Sequence, residues 1–422
     1  MVKSCNKLAI NGGTPIFGKE LAPYKSILRP EKEALKRVAE SGSLSGFYGN
    51  WGSEFLGGPE VKKFEAEWAK KFDVPFAVSV NSATSGLYAA LAAIEVSPGD
   101  EIIVPPTTMS ATVMGPLIYG AIPVFCDIEP ETFCLDVNKI YENLTSKTKA
   151  IVVVNLFGHP AKLDELSQLC KREGIFLIED NSQSPLAKEG TSLCGTVGDI
   201  GVFSLNYHKH LHSGEGGVCV TKDPNLAIRL QAVRNHAENV IDEGNLSPVN
   251  MVGFNYRMTE MSAAVASAQL SRVEELVEQR KNLAEALSKG VEKLSGLKAP
   301  VVREKCNHVY YIWALKYDKK KVGVSRERFS AALLAEGFKN FTGYVKPLYL
   351  LPTFQKRIAI GNSGWPFNLS ARVYEKGLCP VAETLYEEEL ICFEPCAYEI
   401  TEENTDKLIM ALQKVYHGRE SL

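Results

Sequence analysis

Residues 76–95, FAVSVNSATSGLYAALAAIE, hold the pattern that decides the fold. A strand-favouring run at 76–80 stops at small polar residues, and an alanine-rich stretch of helical length follows. Further apolar and β-branched runs occur along the chain at 101–104, 123–127, 150–155, 175–179, 200–205 and 217–221, and helix-favouring segments separate several of them. Some runs are apolar on both faces, as in parallel strands covered by helices on both sides. The sequence therefore predicts an α/β domain with a mostly parallel, seven-stranded sheet between helices.

The chain divides into four regions. Residues 61–260 carry the alternating pattern and are predicted to form the large domain. Residues 261–294 lack proline and favour helix throughout, so they predict one long helix that links two domains. Residues 295–422 include the strand-like run VYYIWALKY and a helix with Ser325 as its predicted N-cap, which indicates a smaller α+β domain. Residues 1–60 contain a stretch rich in glycine and aromatics and are predicted to contribute an ordered segment to the functional site.

The composition is that of an ordinary folded protein. Of the 422 residues, 45% are hydrophobic and 23% are charged, and a net charge of −3 provides no basic surface for a nucleic acid. No apolar run approaches the ~18 residues of a membrane span, and the start, MVKSCNKLAI, lacks the features of a secretory signal. The ten cysteines are scattered, and Cys392 and Cys396 lack a second closely spaced pair. We therefore expect buried free thiols, a cytoplasmic location and a small-molecule partner, with neither a nucleic acid nor a membrane.

The carboxyl ends of the predicted strands are the places to search for a site, because ligands of open α/β sheets bind there. At the first end, Ser82 or Thr84 can cap the following helix, whose free amide groups attract an anion. At another end, Glu179 and Asp180 follow an apolar strand. A carboxylate in such a place needs a cation or hydrogen bonds, so Asp180 either faces a ligand such as a protonated ring nitrogen or caps a helix.

A third strand end leads into NYHKHLHSGEGG, in which Lys209 stands among three histidines and precedes a glycine cluster. In a desolvated or cation-rich pocket a lysine has a lowered pKa and attacks carbonyl carbon, so Lys209 is the predicted nucleophile. The alternation of His208, His210 and His212 leaves a second interpretation open, since on a strand the three rings would share a face as in a zinc site. No HExxH motif accompanies them, and Lys209 would repel a metal, so we predict no metal site.

Three motifs together carry a family resemblance: EDNSQS at 179–184, GDIGVFSLNYHKHLHSGEGG at 198–217 and GFNYRMTEMSAAVASAQL at 253–270. In this order and spacing they resemble the DegT/DnrJ/StrS family of sugar aminotransferases, which depend on pyridoxal 5′-phosphate (PLP). The likeness extends from LAINGGTP at 8–15 to PVAETLYEEELI at 380–391, which is nearly the whole chain. It implies a fold-type I PLP transferase, with a large PLP-binding domain and a smaller C-terminal domain.

The resemblance implies catalytic roles at two positions. Lys209 would carry the cofactor covalently and later move a proton as general acid and base. Asp180 would pair with the protonated pyridine nitrogen, and Gln183 would face the phenolic oxygen of the ring. The chemistry agrees, because PLP withdraws electrons only while that nitrogen is protonated, and an opposed carboxylate favours the protonated form.

The resemblance also implies a phosphate site and a dimer. Thr84 and Ser85 at the helix start, with Ser204 at a strand end, would bind the phosphate. Asn255 would reach the phosphate of the neighbouring subunit, which would make the enzyme a homodimer with shared active sites. The family usually stacks an aromatic ring on the cofactor, and Met109 stands near that position here, so its sulfur would replace part of the contact.

The implied reaction transfers an amino group from glutamate or glutamine to a keto-sugar, a nucleotide keto-sugar or a keto-cyclitol. LAINGGTP and YHKHLHSGEGG look more like the cyclitol and antibiotic-sugar branch of the family than the nucleotide-sugar branch. Candidate substrate-binding residues, for which a structural role is the alternative, are Phe47, Tyr48, Tyr207, His210 and His212. Two other functions are retained: PLP-dependent sugar dehydration, and a non-catalytic regulator with this fold. The first is disfavoured because the dehydrating branch replaces the lysine by histidine, the second because Lys209 and Asp180 are both present.

Overall fold

The computed structural model of the chain describes residues 7–50, 52–237 and 252–422. Within these ranges the strands, in chain order, are β1 (Phe76–Val80), β2 (Glu101–Val104), β3 (Ile122–Phe125), β4 (Thr148–Val154), β5 (Phe176–Asp180), β6 (Lys188–Glu189), β7 (Ser192–Leu193), β8 (Ile200–Ser204), β9 (Gly217–Thr221), β10 (Leu297–Lys298), β11 (Cys306–Asn307), β12 (Trp313–Tyr317), β13 (Phe341–Thr342) and β14 (Leu390–Phe393). The α-helices are α1 (Arg29–Ser41), α2 (Pro59–Phe72), α3 (Ala83–Ala93), α4 (Ala111–Ile118), α5 (Val137–Asn143), α6 (Leu163–Glu173), α7 (Pro224–Arg234), α8 (Glu260–Leu270), α9 (Val273–Val291), α10 (Lys319–Val322), α11 (Arg326–Ala335), α12 (Pro352–Gln355), α13 (Pro380–Thr384) and α14 (Glu402–His417).

Seven strands form the central sheet, in the order β1-β9-β8-β5-β4-β2-β3. The strands from β8 to β3 in this order run parallel to one another, and β9 is antiparallel to both of its neighbours. The predicted α/β fold with a mostly parallel sheet is therefore confirmed, and β1, β2 and β9 have the predicted bounds. Such strands can be recognised in the sequence because helices cover both faces, so that almost every strand residue is buried.

Helix α3 packs against β8 and β9 of the sheet and against α4 and α7. Small residues make this close packing possible: a Cβ on Gly86 would lie 2.8 Å from Cγ1 of Val202, which is too close for any larger residue without a shift. The packing holds the N-terminus of α3 at the carboxyl end of β1, where the site is built.

Residues 261–294 differ from the prediction of one long helix. They belong to two helices, α8 and α9, separated by a turn at Ser271 and Arg272. The guanidinium of Arg272 lies 2.7 Å from the carboxylate of Glu31, a fully buried residue of α1. A buried carboxylate needs such a partner, and the turn brings the arginine to it. Neither residue of the turn disfavours helix strongly, so the sequence contains no signal for the break.

The C-terminal part of the chain contains a four-stranded antiparallel sheet in the order β10-β12-β14-β13. One face packs with α9, α11 and α14 in a core that includes Trp313 and Phe393. The other face, with Ala314 and Cys392, belongs to the core of the large sheet. Ser325 caps α11 as predicted, since its hydroxyl oxygen accepts a hydrogen bond from a first-turn amide.

The strand predicted for VYYIWALKY is shorter than expected, because β12 begins only at Trp313. Tyr310 has a positive φ of 50°, which interrupts the extended backbone. The amide of Val309 donates to the carbonyl of Gly158 at 2.9 Å, and a Cβ on Gly158 would lie 2.6 Å from the Tyr310 nitrogen. The segment before β12 is therefore fixed against the large sheet.

All nine cysteines of the described ranges are free thiols, and eight of them, including Cys392 and Cys396, are buried. Cys5 lies outside the described residues. Among the helices of the described ranges, none has the length and apolar character needed to traverse a lipid bilayer.

Candidate active site

A cavity of about 160 Å³ lies at the carboxyl ends of β1, β5 and β8. Its walls bring together side chains that are far apart in the sequence, among them Thr84, Met109, Asp180, Gln183, Ser204 and Lys209. This is the edge of the sheet where the sequence predicted a site, and parallel strands place their carboxyl ends together at such an edge.

Lys209 lies in the turn that follows β8, and its amide donates to the carbonyl of Asn206 at 2.9 Å. Its Nζ lies 4.1 Å from the centre of the Tyr311 ring. Burial lowers the pKa of Lys209 to about 8, and the negative charge of Asp180 opposes part of that effect. A larger share of neutral amine is therefore present near neutral pH than for an exposed lysine, which suits a nucleophile.

Asp180 is the last residue of β5 and is only 4% exposed. Its Oδ2 accepts a hydrogen bond from the Thr112 hydroxyl at 2.7 Å, and its Oδ1 accepts from the Ser182 amide at 3.2 Å. The Thr112 hydroxyl lies 3.1 Å from that of Thr108. Asp180 therefore does not cap a helix but is held at the cavity wall by one side chain, Thr112, and one backbone amide, that of Ser182. Thr112 was not predicted from the sequence, in which its position near the start of α4 was the only available signal.

The neighbouring carboxylate, Glu179, has a structural role. It is completely buried and accepts hydrogen bonds from the amides of Gly195, Val197 and Gly198 at 2.6–2.8 Å. Successive strand residues point to opposite faces of a sheet, so only one of the two carboxylates can face the cavity.

Gln183 is fixed at both ends of its amide group. Its Oε1 accepts from the Phe157 amide at 2.7 Å, and its Nε2 donates to the Tyr344 hydroxyl at 3.0 Å. Tyr344 was not foreseen from the sequence. Burial raises the pKa of this phenol, so it remains protonated and can donate a hydrogen bond in turn.

The N-terminus of α3 forms one wall of the cavity. Ser82 is the N-cap, as expected, and its hydroxyl oxygen accepts from the Ser85 amide at 3.1 Å. The Ser85 hydroxyl donates to Asn81 Oδ1 at 2.6 Å and is therefore engaged in the cap, whereas Thr84 lines the cavity. A Cβ on Gly217 would lie 2.7 Å from the Ala83 nitrogen, so glycine is required where β9 passes this helix end.

These residues fit PLP. The helix terminus, Thr84 and Ser204 offer donors for a phosphate, Asp180 offers a fixed carboxylate for a ring nitrogen, and Lys209 offers an amine for the aldehyde. At the same wall, the buried Oδ1 of Asn206 has no hydrogen-bond partner among the described residues. An unpartnered buried polar atom is consistent with a site that awaits a polar ligand.

Two of the predicted substrate residues, His210 and His212, have structural surroundings instead. His210 is buried and donates from Nε2 to the Val309 carbonyl at 2.7 Å. Burial lowers its pKa to about 3. The His212 ring is hydrogen-bonded with the Ser26 hydroxyl, and its Nδ1 accepts from an amide at 3.2 Å. Both rings are used to hold the fold around Lys209, and neither lines the cavity.

The zinc interpretation fails for a geometric reason. Residues 207–211 form turns and bends, not a strand, so the alternation of the histidines does not place them on one face. His208 borders the cavity, while His210 and His212 have the partners just described. Tyr207 is 70% exposed and does not line the cavity of its own chain.

Phe47 and Tyr48 also lie apart from the cavity of their own chain. The Phe47 ring is buried, with its centre 4.8 Å from the guanidinium carbon of Arg234. Tyr48 is 65% exposed, and its carbonyl accepts from Asn235 Nδ2 at 2.7 Å. Phe47 was predicted as a substrate residue because of its glycine-rich surroundings, but those glycines allow close packing: a Cβ on Gly57 would lie 2.9 Å from the Phe47 ring.

The last two predicted cofactor residues have different positions. Met109 lines the cavity, is 54% exposed and accepts a hydrogen bond from the Ala111 amide through its sulfur at 3.1 Å. Asn255 is exposed and does not line the cavity of its own chain, and its Oδ1 accepts from Arg257 Nε at 2.9 Å. Its carbonyl accepts from Asn81 Nδ2 at 3.3 Å, beside the N-terminus of α3.

Comparison with known proteins identifies the family. The model of the DegT/DnrJ/EryC1/StrS aminotransferase family matches residues 49–413. The chain is 32% identical to the L-glutamine:2-deoxy-scyllo-inosose aminotransferase of Streptoalloteichus tenebrarius in an alignment of 429 positions, gaps included, that covers 97% of this chain and 98% of that protein. It is 35% identical to the GDP-perosamine synthase of Escherichia coli O157:H7 over 274 residues, or 64% and 70% of the two chains. The solved structure of S. venezuelae DesV, in complex with a ketimine intermediate, is 28% identical, covers 92% of this chain and 94% of its own, and has a TM-score of 0.78. Because the family match spans most of the chain and the cavity has the groups that PLP requires, this protein belongs to the DegT/DnrJ/EryC1/StrS family of PLP-dependent aminotransferases.

Proposed function

We propose that this enzyme transfers the amino group of glutamate or glutamine to the keto group of a sugar or cyclitol, with Lys209 as its catalytic residue. The observation that carries the proposal is the position of Lys209, which is half-buried at the cavity wall, has a lowered pKa and lines the same cavity as Asp180. Among the relatives, the scyllo-inosose aminotransferase is named for a cyclitol acceptor, and GDP-perosamine synthase is named for a nucleotide-linked product.

The cofactor would be held by Lys209, Asp180 and Gln183, with Thr84, Ser204 and the amides of the first turn of α3 around its phosphate. Ser85 would act through the cap of that helix, and Met109 would lie against the ring. When bound, PLP supplies the electron sink that allows a proton to leave the carbon bearing the amino group.

The residues of this chain would transfer the proton and orient the groups that contact the cofactor. The Lys209 amine would take a proton from the substrate carbon that bears the amino group and would later return it, as general base and then general acid. Thr112 and the Ser182 amide hold the Asp180 carboxylate in a fixed direction, so that it favours a protonated ring nitrogen. Tyr344 and the Phe157 amide orient the Gln183 side chain in the same way.

We further propose that the enzyme acts as a homodimer in which Asn255 reaches the phosphate site of the partner. In its own chain the Asn255 carbonyl accepts a hydrogen bond from Asn81, which directly precedes the N-cap of α3. A partner would also bring exposed aromatic residues such as Tyr48 and Tyr207 to a shared site. The free, buried thiols support a reducing, cytoplasmic location.

The test is to mix the purified protein with PLP and with glutamate or glutamine, and to follow the absorbance band of the lysine-bound cofactor. We expect the band to be replaced by that of pyridoxamine phosphate, and a keto-sugar or keto-cyclitol to restore it while an aminated product appears in the mass spectrum. A dehydrated product formed without an amino donor would instead indicate the dehydratase, and an unchanged spectrum would indicate the regulator.

A further inference from the structure

An aromatic ring from the C-terminal part of the chain lies against the Lys209 amine. The Nζ of Lys209 is 4.1 Å from the centre of the Tyr311 ring, well within the ~6 Å limit of a cation–π contact. The Tyr311 side chain is 5% exposed, so water has little access to the ring. Among the described residues, none forms a hydrogen bond or an ion pair with this amine. The ring is therefore the partner that the fold provides for Lys209.

The backbone around Tyr311 holds the ring in this place. The amide of Val309 donates to the Gly158 carbonyl at 2.9 Å, which ties the segment to the large sheet. The next residue, Tyr310, has a left-handed φ of 50°, a conformation that is unfavourable for a bulky side chain. Such strain persists where the surrounding structure fixes it, and it is concentrated at functional sites. The orientation of Tyr311 therefore points to a use besides packing.

The attraction of Tyr311 for a cation comes from its ring face. Burial raises the pKa of the Tyr311 phenol, so no phenolate forms near neutral pH. The rings of His208 and His210 lie 6.1 and 6.3 Å from the Tyr311 ring, and burial lowers their pKa values to about 4 and about 3. Both imidazoles are neutral at pH 7 and do not compete with an ammonium group for the ring.

A ring face distinguishes the two protonation states of an amine, because it attracts the ammonium group and not the neutral amine. In the proposed reaction Lys209 is neutral before it takes the proton and positively charged while it carries it. The C–H bond of the donor breaks, its electron pair passes to the electron sink that PLP supplies, and the lone pair of Nζ forms the new N–H bond. The contact with Tyr311 therefore stabilises Lys209 in the interval in which it carries the proton.

We propose that Tyr311 is a positioning residue that binds the Lys209 ammonium group after it has taken the proton and holds it until the proton is returned. The attraction grows as positive charge develops on Nζ, so it lowers the barrier to proton removal more than it stabilises the starting state. This inference rests on the proposed transamination and adds to it a residue from the C-terminal part of the chain.

The first test uses the cofactor-free enzyme and measures the pKa of the Lys209 amine from the pH dependence of borohydride trapping of PLP. Tyr311→Phe is compared with mono- and trifluorinated phenylalanine at the same position, because fluorine keeps the shape of the ring but withdraws negative charge from its face. The variants share the other groups whose charges interact with Lys209, which are Asp180, His208, His210, Glu394 and Cys396.

We expect the trifluorinated ring to lower the pKa of Lys209 by about 0.5–1.5 relative to Tyr311→Phe, with the monofluorinated ring in between. Trifluorinated phenylalanine at Phe338, which is buried in the C-terminal core away from the cavity, is the matched control and should not change this pKa. The same pKa across the series at position 311 would overturn the assignment.

The second test follows a single turnover of the PLP-loaded enzyme with glutamine that carries hydrogen or deuterium on its α-carbon. From Tyr311→Phe to the trifluorinated ring, the rate should fall about fivefold or more, and the deuterium isotope effect should persist or grow. The Kd for glutamine should change less than about twofold, since the ring acts on the proton transfer and not on donor binding.

A loss of more than about tenfold from the wild type to Tyr311→Phe would show that the hydroxyl group is the active part, and it would overturn the assignment. A fall in rate without a deuterium isotope effect would do the same. No donor half-reaction in the wild type would instead overturn the proposed function. The pKa series in the cofactor-free enzyme does not depend on turnover, so the two failures can be told apart.

Discussion

At the scale of single residues, the reactivity of the site depends on how Lys209 is desolvated. The Tyr311 ring covers its amine, and burial lowers its pKa from 10.5 to about 8. Only the neutral amine attacks an aldehyde, and its share rises with pH until the pKa is passed. The Asp180 charge works in the opposite sense and keeps the pKa from falling further.

The rate at which PLP attaches to the cofactor-free enzyme should therefore rise about tenfold per pH unit below pH 7 and level off above pH 8. Borohydride trapping followed by peptide mass spectrometry measures this rate at Lys209. Lys209→Ala should trap no cofactor at this position. A rate that keeps rising to pH 10, as for an exposed lysine, would contradict the desolvation argument.

Thr112 is a positioning residue that acts through Asp180. Thr112→Val keeps the shape but removes the 2.7 Å hydrogen bond to Oδ2, a loss of about 1.5–3 kcal/mol for a bond to a charged group. We expect kcat to fall about 10- to 150-fold if the whole bond is lost in the transition state, and the absorbance of the bound cofactor to titrate at a lower pH because its ring nitrogen is less well paired. Thr191→Val, in an exposed turn, is the control, and equal effects of the two substitutions would refute the role of Thr112.

At the scale of elements, the phosphate wall depends on how closely β9 passes the start of α3. A Cβ on Gly217 would lie 2.7 Å from the Ala83 nitrogen and 2.8 Å from the Ser82 carbonyl carbon. Gly217→Ala must therefore push the N-cap outward and disturb the amides that face the phosphate. We expect the Kd for PLP, measured by fluorescence titration, to rise at least tenfold.

Gly18→Ala provides the matched control, because a Cβ at Gly18 has no atom within 4 Å. If both variants bind PLP as the wild type does, the close approach of β9 does not shape the phosphate site.

The elements also show what the sequence could and could not predict. Strands buried on both faces, such as β1, are recognisable because most of their residues are apolar, and the ends of β5 and β8 pointed to Asp180 and Lys209. The break between α8 and α9 was not predicted because its cause lies elsewhere in the chain. It lets Arg272 form an ion pair with Glu31, more than 200 residues away. Local spacing carries no information about such partners.

The same limit applies to individual side chains of the site. Tyr344 reaches Gln183 at the cavity wall from the C-terminal part of the chain, and no local pattern distinguishes it from other surface or core residues. His210 was proposed as a substrate residue because it neighbours Lys209 in the sequence, with a structural role as the alternative. Its ring donates a hydrogen bond to the Val309 carbonyl, and no local pattern in the sequence indicates that distant partner.

At the scale of the whole molecule, buried histidines lie where the core of the large sheet meets the C-terminal part of the chain. The rings of His159 and His308 lie 5.5 Å apart, and His210 donates to the carbonyl of Val309 beside them. The Gly158 carbonyl binds the same segment. This contact fixes Tyr311 next to Lys209, so the stability of the junction and the geometry of the site depend on each other.

Acid should weaken this junction. Burial lowers the pKa of His159 to about 4 and of His210 to about 3, and it also lowers that of His308. The unfolded chain takes up protons below about pH 6.5 while the folded chain does not, so the free energy of unfolding falls as the pH drops from 7 toward 4.

At up to about 1.4 kcal/mol per histidine and pH unit, we expect the free energy of unfolding to fall by about 2–4 kcal/mol between pH 7 and pH 5.5 in urea titrations. Because the pKa values of His208 and His212 are lowered as well, His210→Gln should flatten this dependence by roughly a fifth to a third, whereas His417→Gln, on the exposed end of α14, should leave it unchanged. A free energy of unfolding that is constant over this range would show that the three rings are already protonated, or solvated, in the folded enzyme.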